Sequence, residues 1–115
     1  MPEDQFRVTA DSNLNLRLAG NGSAPIVASI RPDVIVHITG EANAAGYAPA
    51  YVFGWLGTDD RTLYADSFGR GESSVDAILF DRSRFEARGV PDAFGRQPGL
   101  ARGWVYRAYL AEVTP

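Results

Sequence analysis

The chain has 115 residues, a formal net charge of -3, 45% hydrophobic and 22% charged residues, which fits one globular domain over 1–115 and argues against disorder or a fibre. It contains no Cys, no Lys and a single His. Those absences exclude disulfides, thiolate metal sites, cysteine nucleophiles, Schiff-base lysines, lysine-bearing phosphate loops and multi-histidine metal centres. The acidic balance argues against a general nucleic-acid or membrane-surface binder.

The opening Met-Pro-Glu-Asp-Gln-Phe has no basic stretch followed by an apolar run, so no secretory signal is expected. No segment approaches the roughly 18 apolar residues of a membrane helix. Cytoplasmic synthesis is the resulting expectation. On that basis Asn21-Gly22-Ser23 reads as a turn and not as a glycan acceptor.

Apolar residues recur with period two along most of the chain, which predicts half-buried strands. A weak strand is expected at 6–9. Leu14, Leu16 and Leu18 then alternate with Asn13, Asn15 and Arg17, and Asn21-Gly22 suits the positive φ angles of a tight hairpin. Ile26, Ala28 and Ile30 form the next run. Val34, Val36 and Ile38 share a face opposite Ile35, His37 and Thr39. Tyr51, Phe53 and Trp55 also share a face, assigned to the core, with Val52, Gly54 and Leu56 behind them.

Further strands are expected at 62–66 and 75–80, separated by Ser67-Phe-Gly-Arg-Gly-Glu-Ser-Ser74, a Gly-rich segment read as a connector. Asp81 is an N-cap candidate, Ser83 and Glu86 stand three apart as in a capping box, and Gly89 suits a helix end. A short helix near 82–88, packed by Phe85, is therefore predicted. Residues 90–102 read as a long loop. Trp104, Tyr106, Ala108 and Leu110 form a last strand opposite Val105, Arg107 and Tyr109. About eight short strands, with Gly and Pro falling between them, point to an all-β chain of β-sandwich or jelly-roll type.

Candidate sites are few. His37 lacks a nucleophile elbow in the sequence, so an enzyme is not expected. Asp59, Asp60, Asp66, Glu72 and Asp76 cluster in and after the segment 57–61, and hard oxygen ligands of this kind can hold Ca²⁺. Turn formation accounts for the same acids; no other cofactor is suggested.

Charge is uneven. Residues 1–81 carry 5 Arg against 11 acids, a balance of -6, whereas 82–107 carry 6 Arg against Glu86 and Asp92, a balance of +4. Arg82, Arg84, Arg88, Arg96 and Arg102, with Tyr109, are the candidate interface residues, able to pair within one fold or between copies.

Two functional readings follow. The first is a non-enzymatic structural or assembly protein, a homo-oligomer such as a decoration, spike or tail-associated subunit of a phage-like particle. Its partners would be protein: copies of itself or other subunits. The second is a small carbohydrate-binding, lectin-like module, calcium-dependent or not, with Trp55 or Tyr109 as the stacking platform. Over ten residues, Arg31-Pro-Asp-Val-Ile-Val-His-Ile-Thr-Gly40 resembles the strand opening of small bacterial galactose-binding lectins, a strand common to many β-sandwiches.

Overall fold

The computed structural model describes residues 5–9, 13–32, 34–65 and 77–112. Ten strands are present among them: β1 (Gln5–Val8), β2 (Leu14–Arg17), β3 (Ile26–Ile30), β4 (Ile35–Ile38), β5 (Tyr47–Leu56), β6 (Thr62–Ala65), β7 (Ala77–Leu79), β8 (Phe85–Ala87), β9 (Gln97–Tyr106) and β10 (Leu110–Glu112). All pairings between them are antiparallel. The all-β expectation holds.

The arrangement is a barrel. Following the hydrogen bonds from β5 through β6, β7, β3, β2 and β9 returns to β5 and closes a six-stranded ring. The two separate sheets expected of a sandwich are not what the hydrogen bonds draw, because one continuous ladder connects every strand. The two longest strands make this closure possible. β5 and β9 each run for ten residues and pair along their whole length, from Tyr47 opposite Tyr106 to Leu56 opposite Gln97. The remaining edge of β5 is divided, with β4 on its first half and β6 on its second. The remaining edge of β9 is divided between β8 and β2 in the same way. Beyond β4, the strands β1 and β10 extend the sheet past the barrel wall.

Barrel width grows with strand number, and six strands leave little space inside. The inward positions of β5 are accordingly Ala48, Ala50, Val52, Gly54 and Leu56, all buried. Those of β9 are Gly99, Ala101, Gly103 and Val105. A Cβ on Gly103 would stand 2.6 Å from the Arg17 carbonyl oxygen and 2.8 Å from Leu16 Cγ. Gly99 similarly makes room for the Phe85 ring, whose Cζ would lie 2.7 Å from an added Cβ. Leu16, Ile30, Val34, Val36, Leu63 and Leu79 belong to the same core, as do Phe6, Val8, Leu14, Val27, Phe85 and Leu110.

This size limit overturns the predicted facing of β5. Tyr51, Phe53 and Trp55 do share a face, but it is the outer one, where each ring is half-buried. The core face is the one bearing the small side chains. On β4 the predicted grouping holds, with Val34, Val36 and Ile38 buried and His37 outward.

Four other expectations change. Residues 82–88 hold a single 3-10 turn at Arg82–Arg84, followed by β8, in place of a two-turn helix. Asp81 does cap that turn, accepting from Ser83 N, but Glu86 bonds to arginines and closes no capping box. Gly89, at φ 90°, lies in the loop after β8. The loop predicted at 90–102 is shorter, since β9 begins at Gln97 and carries Pro98 and Gly99 within it. The last strand breaks at a second 3-10 turn, Arg107–Tyr109, which is why Val105 and Leu110 are both buried despite their odd and even positions. Finally, β2 and β3 are joined by residues 18–25, in which Asn21 accepts from Ser23 N and Oγ and has no positive φ. The predicted tight turn is therefore a wider one.

Candidate functional site

The outward side chains of the β5–β9 ribbon form the largest array of rings on the described surface. Tyr47, Pro49, Tyr51, Phe53 and Trp55 stand on β5, opposite Tyr106, Trp104, Arg102, Leu100 and Pro98 on β9. Phe53 and Trp55 meet edge to face, with centroids 5.3 Å apart.

A polar row crosses this face. The His37 imidazole lies parallel to the Tyr51 ring at 4.7 Å, and the Arg102 guanidinium sits over the same ring at 5.6 Å. Arg102 Nε donates to Glu86 Oε2 at 2.6 Å, and Arg88 Nη2 donates to Glu86 Oε1 at 2.9 Å. Strand register aligns the row, because His37 pairs with Tyr51 and Tyr51 with Arg102. Hydrogen bonds first from Arg102 and then from Arg88 hold the Glu86 carboxyl below its ordinary range, against some desolvation.

Beside the row lies an open groove of about 340 Å³. Trp104, Pro49 and Leu18 supply its apolar surface, while Arg84, Arg102 and Glu86 supply charge, and the hydroxyls of Thr39 and Ser83 reach its lining. Gly103 and Ala50 also line it.

At one end of the ribbon, residues 88–96 form a firmly held tip. Asp92 accepts from the N–H groups of Phe94 and Arg96 and from Arg96 Nε, each at 2.9 Å. Desolvation raises the Asp92 carboxyl, but the Arg96 and Phe94 amides and the Arg96 guanidinium outweigh it, and the net direction is downward. Arg96 lies between the Tyr64 and Phe94 rings, at 5.1 and 4.8 Å. Val90 and Phe94 project from this tip, 79% and 75% exposed.

At the other end, Tyr47, Tyr106 and Tyr109 are in series, with centroid separations of 5.2 and 5.4 Å. Asn43 ties the loops there: its Oδ1 accepts from Ala45 N and Tyr47 N, and its Nδ2 donates to the Gly20 carbonyl. Tyr106 and Tyr109, expected on opposite faces, lie side by side because the 3-10 turn rotates Tyr109.

The candidates from sequence are scattered. Trp55 and Tyr109, the two alternative stacking rings, stand at opposite ends of the ribbon, Tyr109 beside the partner of Tyr47. Asp59 spends both oxygens locally, Oδ1 accepting from Arg61 N and Thr62 N and Oδ2 from the Thr62 hydroxyl. These bonds, the Thr62 hydroxyl first, lower its pKa to about 2. Asp60, at φ 61°, pairs with Arg82 at 3.4 Å. Asp66, Glu72, Asp76 and the segment 67–74 lie outside the described residues. No metal-ligating cluster occurs among the described residues.

The basic segment finds carboxylates within its own chain: Arg84 with Asp81, Arg96 with Asp92, and Arg88 and Arg102 with Glu86. Sequence reasoning missed the Trp104 groove and the Phe94 tip. The signal for the first was present in Tyr-Ala-Pro-Ala-Tyr-Val-Phe-Gly-Trp-Leu, whose ring-bearing residues alternate with Ala, Ala, Val and Gly up to the closing Leu. Among the described residues no helix is long and apolar enough to cross a membrane. No family model, curated protein or solved structure matches the chain.

Proposed function

We propose that the chain is a non-enzymatic assembly module that docks onto protein, in the first place onto copies of itself, through the outer face of the β5–β9 ribbon. One observation carries the reading: the largest side chains of both long strands face outward, where their rings keep part of their surface in solvent. Aromatic side chains with Arg among them are the composition of energetically dominant docking patches. The rim arginines fit the same reading. Their ion pairs are exposed, and exposed pairs are worth about 0–1 kcal/mol, so a neighbour's carboxylate can replace an internal one at little cost. A small subunit docking this way suits a repeating particle such as a phage-like decoration or tail component.

Light scattering across a concentration series tests the proposal. The expected mass exceeds the 12.4 kDa of one chain and returns to it in a Phe53→Ser, Trp55→Ser variant. A monomer at every concentration, unchanged by the variant, would remove self-assembly.

The tyrosine series supports a second reading, a saccharide stacked on Tyr109, which is 48% exposed and meets the Tyr106 ring edge to face. A glycan array read with and without EDTA decides it. Binding lost in Tyr109→Ala supports the platform, and no binding in either condition retires it.

A further inference from the structure

We propose that the groove beside Trp104 binds an acidic, extended peptide segment, with a carboxylate held between Arg84 and Arg102 and an adjoining apolar side chain on Trp104, Pro49 and Leu18. The proposal rests on the protein-docking reading above and names the chemistry of the partner.

The donor inventory selects the charge. Arg102 uses Nε on Glu86, and Arg84 meets Asp81 through Nε at 3.8 Å. Among the described residues no hydrogen bond engages the terminal Nη groups of either arginine. A planar guanidinium presents such forks to carboxylates in two parallel bonds. Glu86 does not compete for them, because each of its oxygens already accepts from an arginine. The lining itself sets Arg84 and Arg102 against Glu86, which leaves the groove wall with one positive charge in excess.

The floor selects the rest of the ligand. A bare anion would leave the indole of Trp104, the Pro49 ring and the 36% exposed Leu18 uncovered. A peptide with an aliphatic residue beside its acid covers them, and its backbone N–H groups can donate to the hydroxyl oxygens of Thr39 and Ser83, whose own protons go to the Pro49 carbonyl and to Asp81 Oδ1.

The sequence contains two Trp, so Trp55→Phe leaves Trp104 as the sole fluorescent indole. This protein is titrated with a pool of acetylated, amidated hexapeptides in which two fixed Glu flank randomised aliphatic positions, and with the same pool carrying Gln for Glu. The acidic pool should shift Trp104 emission saturably, and the Gln pool should bind about tenfold more weakly or worse, the loss expected for removing a charge-assisted bidentate contact. Arg84→Gln should weaken the acidic pool to a similar degree while leaving the urea midpoint unchanged, since Arg84 is an exposed side chain. Equal binding of the two pools, no shift at millimolar peptide, or full binding by Arg84→Gln overturns the inference. Peptide failure with self-association intact removes only this proposal. Peptide binding in a chain that stays monomeric removes only the self-assembly reading.

Discussion

The two faces of the β5–β9 ribbon are made from the same twenty residues and divide them by size. Inside stand Ala48, Ala50, Val52, Gly54, Leu56, Gly99, Ala101, Gly103 and Val105, and among those outside are Tyr47, Tyr51, Phe53, Trp55, Trp104 and Tyr106. Hydrophobicity alone would put the rings in the core. Close packing works against it, because a six-stranded barrel is narrow and admits the Phe85 ring only where Gly99 leaves space, so the rings of the ribbon itself are turned outward. Apolarity therefore does not tell core from surface in this ribbon; volume does. A ring excluded from the interior for lack of space remains an apolar surface to be covered by something else.

The most disruptive way to break that comparison is to put a ring inside. Ala101 is fully buried opposite Val52, and Ala101→Phe should cost about 3 kcal/mol or more by overpacking. Leu100→Phe, one residue away on the outer face, should stay within about 0.5 kcal/mol of the parent. Urea denaturation of the two proteins measures the contrast directly. Equal midpoints would mean that the interior has slack and that the size argument fails.

A finer version uses a single methyl group. Gly103→Ala places a Cβ against the Arg17 carbonyl and Leu16, and the neighbours must move to admit it. The expected loss is about 1–3 kcal/mol. It should be accompanied by faster amide exchange at the β2–β9 contact, where Arg17 pairs with Trp104.

Smaller still is the response to acid. Asp59 is held at a pKa of about 2 against an ordinary 3.8, by the Thr62 hydroxyl and then the Thr62 and Arg61 amides. A carboxyl with a depressed folded-state pKa contributes stability that is complete above 3.8 and lost as pH falls toward about 2. Stability should decline through that window. Asp59→Asn should flatten the decline while lowering the starting value at neutral pH. An identical acid profile in the variant would assign the effect to other carboxyls.

Tyr51→Leu sits at the bottom of the scale. It removes the stack with His37 and the contact with Arg102 but leaves an apolar side chain on the outer face, and it should change stability by less than about 1 kcal/mol. If the ribbon is a docking surface, the same variant should weaken self-association measured by light scattering well beyond that stability change. A variant that assembles normally but unfolds easily would show that Tyr51 serves the fold instead.

What was legible in the sequence can be traced residue by residue. Period-two alternation located strands at 14–17, 26–30, 35–38 and 62–65, because pleating alone sends neighbouring side chains to opposite sides. It also grouped Tyr51 with Phe53 and Trp55, and Val36 with Ile38. The turn chemistry of Asp81 was readable too, since a short acid bonding its own backbone is a local event.

The sign of a face was not local. Whether Tyr51 or Val52 points inward depends on how many strands close the wall, and that number is fixed by pairings between residues as distant as Leu56 and Gln97. The same holds for the fate of residues 82–88. Their capping signals favoured a helix, but Phe85 could reach the core only as part of an added strand on β9, and the burial of one ring outweighed a helix too short to stand alone. The groove beside Trp104 belongs with these. Its arginines lie eighteen positions apart, Arg84 to Arg102, and only the β8–β9 pairing brings their guanidinium groups to one wall. Sequence settled the alternation and the local turns because both arise within a few bonds. Closure of the barrel decided which side was in, since available volume is a property of the whole ring.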